Sequence, residues 1–386
     1  MRIGINAWFL RQDTTGSGQY LRHLLGEFAT VEGGCRYVLF QSPVQPGLAP
    51  SLDLSPQRFQ QVALRTPFDR QNTNLTKLWF EQIAVPRAAR KLSLDLLHVP
   101  YWGSPLRPTT PVVVTVHDAI PLLLPAYRGG VLVRAYTRLV GAAARRADCV
   151  LTDSAASRRD IMRHLGIPEH RLRVVLLAPD AQFRPVTNMA TLVALRQRHN
   201  LPGRYLLYLG GFDQRKNVPT LLRAFARFLE RQREAQLIIA GGLPGRDSAF
   251  FPDPRRVAGE LGLGETVRFI GQPPNADKPA LYAGATAFLF PSRYEGFGLP
   301  PLEAMACGTP VIGSTAASLP EVIGDGGLLV SPDDVDGLAE TMFRLWNDAH
   351  LRGALSQRAL AQASNFCWPK TASETLQAYE EVVSTR

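Results

Sequence analysis

"ATAFLFPSRYEGFGLPPLEAMACGTPVIGS", Ala285–Ser314, opens on an unbroken apolar run, turns through glycines, restarts on two prolines and ends on a second apolar run. An apolar run without polar alternation suits a strand buried on both faces. Pro300 and Pro301 suit the start of a helix, and "TPVIGS" resumes the strand pattern. Strand, turn, helix and strand in that order predict one unit of a parallel, doubly wound sheet. Inside the turn stands Glu295, and eight residues later Glu303 falls early in the expected helix. A carboxylate in a first helical turn gains about 0.3–1 kcal/mol from the macrodipole, which accounts for Glu303 but not for Glu295. As a pair the two are acceptors for hydroxyl groups such as a sugar or ribose presents. Between them the backbone N–H groups of Gly296, Phe297, Gly298 and Leu299 form a candidate phosphate cradle.

The same pattern extends in both directions. Upstream lie "RIGINA", "RYVLFQ", "FQQVAL", "LDLLHVP", "PVVVTVHD", "DCVLTDS" and "RLRVVLLAP". Downstream of about residue 180 lie "RYLLYLGG", "AQLIIAGG", "TVRFIGQP", "ATAFLFPS", "TPVIGS" and "GGLLVSP". Helix-length segments such as 218–233 and 335–347 separate them, so two α/β domains follow in tandem. The boundary is expected in the proline-broken "APDAQFRPVTN", giving domains 1–180 and 181–367 with a closing helix 368–386. A chain of 386 residues is too long for one ordinary core and agrees with that division.

Ligands of open parallel sheets sit at the carboxyl ends of the strands. Gly210, Gly211, Gly241, Gly242, Gly271, Gly296 and Gly298 all follow apolar runs there. Each alone is a turn glycine; together on one rim they suit close approach of a ligand to backbone. Arg215 and Lys216, in "YLGGFDQRKN", precede the helix expected from Val218. Cations are unfavourable at a helix N-terminus unless an anion sits with them, and a diphosphate fits. In the first half, Gly16 and Gly18 open a helix after the first strand, and His117 and Asp118 end the run "VVVTVHD". The dinucleotide fingerprint G-x-G-x-x-G is incomplete, because Leu21 occupies its last position.

Composition narrows the classes. With 45% apolar and 20% charged residues the chain is globular, and no run suggests a membrane span. "MRIGINAWFL" is too short and too soon polar for a signal peptide. The four cysteines are scattered without metal-ligand spacing, so reduced thiols in a cytoplasmic protein are expected. Asp334 and Asp336 spell D-x-D, but they sit where helix capping explains them and no metal is expected. In residues 1–180, 22 Lys and Arg face 13 Asp and Glu, a net +9; in 181–386 the counts are 21 and 20. The basic half suits an anionic partner (nucleic acid, an acidic membrane face or a phosphorylated substrate) or a surface charged for solubility. Basic residues interleaved with stacking aromatics are missing, which disfavours nucleic acid.

The Gly16–Gly18 loop, "TVHD", "LTDSAASRRDI", "GGFDQRKN", "VRFIGQ", "PSRYEGFGLPPLEAMACGTPVI" and "LPEVIGDGGLLVSPDD" together resemble the retaining nucleotide-sugar glycosyltransferases of family four. The resemblance implies the GT-B fold, two Rossmann-like domains facing a central cleft, with the last helix crossing back onto the first. It implies that Glu303 holds the ribose hydroxyls, and that Glu295 with Gly296–Leu299 holds the donor sugar and distal phosphate. Arg215 and Lys216 would neutralise the diphosphate, His117 would contact the sugar, and Gly16 and Gly18 would close on the phosphate. Glu295, His117, Lys216 and Arg215 are thus the candidate catalytic residues, and Gly210, Gly211 and Gly271 join the donor site. Many members carry an arginine where this chain has Gly211, so Arg215 stands in for part of that charge. The nucleotide-sugar is then a co-substrate, no separate cofactor is implied, and the acceptor is a sugar or lipid-linked sugar. "TVHDAIPLL" and "LWFEQIAVP" are similar to members that move mannose from GDP-mannose in surface-polysaccharide assembly, with UDP-glucose also open. A GT-B nucleotide-sugar epimerase shares fold and donor; a non-catalytic module that binds an anion or nucleic acid is the third reading.

Overall fold

The computed structural model describes residues 1–12, 15–31, 33–43 and 52–385. Every apolar run singled out above contains a strand, thirteen in all. The chain divides into two compact units, Met1–Leu177 with Trp368–Arg386, and Ala178–Cys367.

The first unit holds β1 (Arg2–Asn6), β2 (Arg36–Gln41), β3 (Phe59–Ala63), β4 (Leu96–Val99), β5 (Val112–Thr115), β6 (Cys149–Thr152) and β7 (Leu172–Val174). They form one sheet in the order β3-β2-β1-β4-β5-β6-β7, with every described pairing parallel. Ile3 and Ile5 of β1 and Val113 and Val114 of β5 are fully buried, as strands covered on both faces must be. The last helix, Trp368–Ser384, belongs to this unit. Thr371 Oγ1 donates to the Leu176 carbonyl (2.6 Å), and the Tyr379 hydroxyl lies 2.6 Å from His98 Nδ1.

The second unit holds β8 (Leu206–Leu209), β9 (Leu237–Ala240), β10 (Val267–Gly271), β11 (Ala287–Phe290), β12 (Val311–Ser314) and β13 (Gly327–Val330). Its order is β10-β9-β8-β11-β12-β13, again parallel. In both sheets the order reverses direction once, between β1 and β4 and between β8 and β11. At such a switch point the loops leaving the two central strands turn to opposite faces and open a crevice at their carboxyl ends.

Two expectations need correction. The helix after β8 runs Val218–Leu229, four residues shorter than the pattern 218–233, because the polar stretch from Glu230 offers no apolar face to bury. The helix after β11 begins at Leu299, not at the prolines, so Glu303 is its fifth residue and lies beyond the first turn. Gly298 precedes it at φ +124°, a conformation side chains rarely adopt, and a Cβ there would lie 2.9 Å from Leu319 Cδ2. The macrodipole account of Glu303 therefore fails. Among the described residues no helix is long and apolar enough to cross a membrane.

Candidate donor site

The two loops that flank the switch point of the second sheet carry opposite charges and meet. From β8 the chain passes Gly210 and Gly211 into a short turn, Gln214–Lys216, that presents Arg215 and Lys216. From β11 it passes Pro291 to Glu295. Glu295 Oε2 lies 2.5 Å from Arg215 Nη1, and Oε1 lies 2.8 Å from Lys216 Nζ. Arg215 Nε is 3.3 Å from Asp213, so two carboxylates face two cations. Lys216 Nζ also stands 4.9 Å from the centre of the Phe290 ring.

Glu295 is 7% exposed. Burial raises its pKa, but Lys216 and Arg215 more than offset this and hold it below the ordinary glutamate value, so the carboxylate is ionised. For Lys216 burial is again the largest influence and lowers its pKa, with Glu295 opposing. The loops are further stitched through backbone. Arg293 N donates to the Arg215 carbonyl (2.8 Å), and Arg215 Nη1 donates to the Tyr294 carbonyl (3.0 Å). Ser318 donates to the carbonyls of Glu295 (2.9 Å) and Phe297, fixing the segment Gly296–Leu299 that leads into the helix.

Asn217, a residue the sequence reading passed over, locks the arrangement. It takes the left-handed conformation at φ +59°, and its Nδ2 donates to the carbonyls of Pro291 (3.1 Å) and Pro332 (2.6 Å). Thr220 Oγ1 donates to its Oδ1 at 2.7 Å. The signal was present in "RKNVPT": Asn is the non-glycine residue best suited to a left-handed turn before a helix.

Glu303 stands outside the charged cluster. It is half-buried and accepts a hydrogen bond from the Tyr282 hydroxyl (2.9 Å), on the helix Lys278–Ala283. Burial raises its pKa to about 7, with the Tyr282 hydrogen bond opposing. Gly271 closes β10 at φ +68°, and its carbonyl accepts from Gly241 N (2.7 Å). A cavity of about 490 Å³ opens at this end of the sheet, lined by Gly211, Phe212, Asp213, Gly242, Arg246 and Phe251 among others. That volume is in the range of small-molecule sites.

In the first unit, His117 follows β5 and its Nδ1 lies 2.8 Å from Asp153 Oδ2, at the end of β6. Burial lowers the imidazole pKa, but Asp153, aided by Asp118 and the Pro100 carbonyl, outweighs it and leaves the pKa raised. Asp153 was not singled out from the sequence, although it lies in "LTDS" at a strand end. Gly16 begins the helix Gly16–Thr30 and Gly18 sits in its first turn, where a Cβ would come 2.0 Å from the Gln12 carbonyl oxygen. Thr15 caps this helix by accepting from Gly18 N (3.1 Å), and Tyr20 packs edge-on against His117 at 5.1 Å. Asp334 is a helix cap: Gly337 N donates to it at 2.8 Å, while Asp336 lies 3.8 Å from Arg227.

This arrangement bears comparison with known proteins. The model of Glycosyltransferase Family 4 matches residues 14–182, and that of Glycosyl transferases group 1 matches residues 194–362. The O-antigen chain mannosyltransferase B of Escherichia coli is 35% identical over 69% of this chain and 70% of its own length. The chain belongs to glycosyltransferase family 4. Over the full length of this glycosyltransferase, the MMP alpha-(1→4)-mannosyltransferase of Mycolicibacterium hassiacum is 29% identical, across 99% of that relative. Among solved structures, a sucrose-phosphate synthase from Thermosynechococcus elongatus superposes on all of both chains with a TM-score of 0.77 and 25% identity. The fold of the enzyme is GT-B, as the sequence led us to expect.

Proposed function

We propose that the enzyme transfers mannose, with retention of configuration, from GDP-mannose to a hydroxyl of a growing polysaccharide or glycolipid. The observation that carries this reading is the meeting of Arg215, Lys216 and Glu295 at the switch point of the second sheet. The mannosyltransferase relatives favour mannose over glucose.

Cleaving a sugar from a diphosphate places growing negative charge on the leaving group and oxocarbenium character on the sugar carbon. Cations fixed before the reaction stabilise that charge more in the transition state than in the ground state. Arg215 and Lys216 carry this role, helped by backbone N–H groups of Gly211 and Gly296–Leu299. Their ion pairs with Glu295 keep them in place before the donor arrives. On donor binding, the diphosphate takes over part of the pairing and Glu295 turns to the sugar hydroxyls. Glu303 accepts from the ribose hydroxyls, and the cavity beside Gly211 and Gly242 receives part of the nucleotide. His117 touching the sugar, with Gly16 and Gly18 at the phosphate, belongs to the same proposal, as do metal independence and a cytoplasmic location. Asp334 is engaged in capping, which supports reading its D-x-D as structural.

A thermal-shift panel of GDP, UDP and ADP with their mannose and glucose conjugates tests the donor, because a ligand bound only by the native state stabilises it. Stabilisation by GDP and GDP-mannose, with GDP released when an acceptor glycan is added, is expected. Stabilisation by the UDP series alone overturns the donor assignment, and a changed sugar without free GDP identifies an epimerase.

A further inference from the structure

The helix Val131–Ala144 begins in a way that a water-soluble surface does not require. Val131 is 73% exposed, Leu132 86% and Val133 50%, three consecutive apolar side chains at its first turn. Arg128, Gly129 and Gly130 before them and Arg134, Ala135 and Arg138 after them are exposed as well. Between Asp118 and Asp148 the sequence contains five arginines and no acidic residue. Some arginines of this chain meet carboxylates, as Arg173 does with Glu381 and Arg231 with Glu340. Among the described residues, Arg128, Arg134 and Arg138 form no ion pair; with Pro121, Leu122 and His164 they line a surface cavity of about 360 Å³.

We infer that this surface of the first unit docks on a bilayer containing anionic lipid. Leu132 and Val131 enter the headgroup region, while Arg128, Arg134 and Arg138 meet lipid phosphates. Either feature alone is ordinary. Together they give the combination of exposed apolar and unpaired basic residues by which interfacial helices bind, where apolar burial and attraction to anionic lipid add. Complementary charge selects the partner: this stretch holds much of the +9 carried by residues 1–180. The helix start adds to it. Gly130 supplies no side-chain cap, so no side chain of the cap residue neutralises the positive end of the helix beside the exposed apolar turn. The cavity is lined by three guanidiniums, which recognise phosphate through paired donors. The inference does not depend on which donor the enzyme uses, since no residue of this patch belongs to the donor site.

The test is co-sedimentation of the full chain with phosphatidylcholine vesicles, with and without phosphatidylglycerol. Binding to the anionic vesicles alone, weakened by added salt, is expected. Near a membrane surface each arginine contributes about fivefold, so Arg128→Gln, Arg134→Gln and Arg138→Gln together should lower affinity on the order of 10²-fold. Val131→Ser with Leu132→Ser should lower it roughly tenfold, by loss of apolar burial. All five side chains are on the surface, so unchanged melting temperatures are expected and serve as the control for folding. Leu132→Trp should shift its fluorescence to the blue on the anionic vesicles. Failure of the intact protein to bind anionic vesicles at low salt overturns the inference. So does undiminished binding by both sets of variants. A Leu132→Trp protein that binds without a blue shift also overturns it, since the surface would then suit an acidic soluble partner and not a bilayer.

Discussion

Glu295 and Lys216 are 79 residues apart in the chain and 2.8 Å apart in the fold, carboxylate against ammonium, with Arg215 on the other carboxylate oxygen. The groups that suit a sugar and those that suit a diphosphate therefore neutralise one another before either ligand arrives. Removing one member of such a buried group leaves charge uncompensated.

Glu295→Gln should accordingly lower thermal stability, by roughly 1–3 kcal/mol, discounted from the cost of a fully buried pair because Asp213 still faces Arg215. Addition of GDP or inorganic pyrophosphate should then raise its melting temperature more than that of the wild type, as the anion replaces the lost carboxylate. Turnover should fall despite that binding. A variant as stable as the parent, with the same response to pyrophosphate, would show that the pairing contributes nothing to the site.

Lys216→Ala should reduce kcat on the order of 10²-fold, the cost of removing one preorganised donor from developing charge. Arg215 stays paired with Glu295, so folding should be affected less than by Glu295→Gln. Arg215→Ala should be the more damaging of the two if Arg215 carries the charge that Gly211 lacks. Saturation kinetics separates the effects, and a Lys216→Ala enzyme changed only in KM would reduce the lysine to ground-state binding.

The architecture was legible because parallel strands covered on both faces must be apolar throughout, so each continuous run marked a strand. The alternation with helices then fixed the doubly wound class, and the glycines and charged residues fell at strand ends, where β8 and β11 deliver them to one switch point. What the pattern could not carry were relationships that depend on backbone angle or distance in space. Nothing in "YEGFGLPPLE" announces that Gly298 takes φ +124° and lets the helix begin at Leu299. No spacing rule links Glu295 to Lys216, Asn217 to Pro332 or His117 to Asp153, because each pair joins loops after different strands.

Glu303 makes a prediction about pH. Its folded pKa is about 7 against an ordinary value of 4.5, so between those values the folded state holds a proton that the unfolded state releases. Stability from this group is therefore fully present below pH 4.5 and lost as pH rises through 7. Glu303→Gln should be more stable than the wild type at pH 8, on the order of 1–3 kcal/mol, and no more stable at pH 5. Its GDP affinity should be weaker, with the difference from wild type growing between pH 6 and 8 as the wild-type carboxylate ionises. Titration of the diphosphate itself is common to both proteins and cancels in the comparison. Calorimetry at the two pH values checks this, and a constant difference in affinity would place Glu303 away from the ribose.

His98 gives the opposite dependence. It is fully buried between Thr115, 2.9 Å from Nε2, and Tyr379 of the last helix, 2.6 Å from Nδ1. Burial lowers its pKa from 6.5 to about 3, so between those values the unfolded state takes up a proton that the folded state refuses. Stability from this group is present above pH 6.5 and declines as pH falls, by on the order of 3 kcal/mol at pH 4. His98→Gln offers a donor and an acceptor to the same partners without titrating. It should cost about 1–2 kcal/mol at neutral pH through imperfect hydrogen bonds, yet lose stability less steeply under acid. Because Tyr379 belongs to the helix Trp368–Ser384, the protection of that helix against hydrogen exchange, corrected for the intrinsic rate at each pH, should fall in the wild type as pH drops from 6 to 4, and fall less in the variant. Parallel acid-denaturation curves for the two proteins would mean that other groups, not this histidine, set the acid limit of the fold.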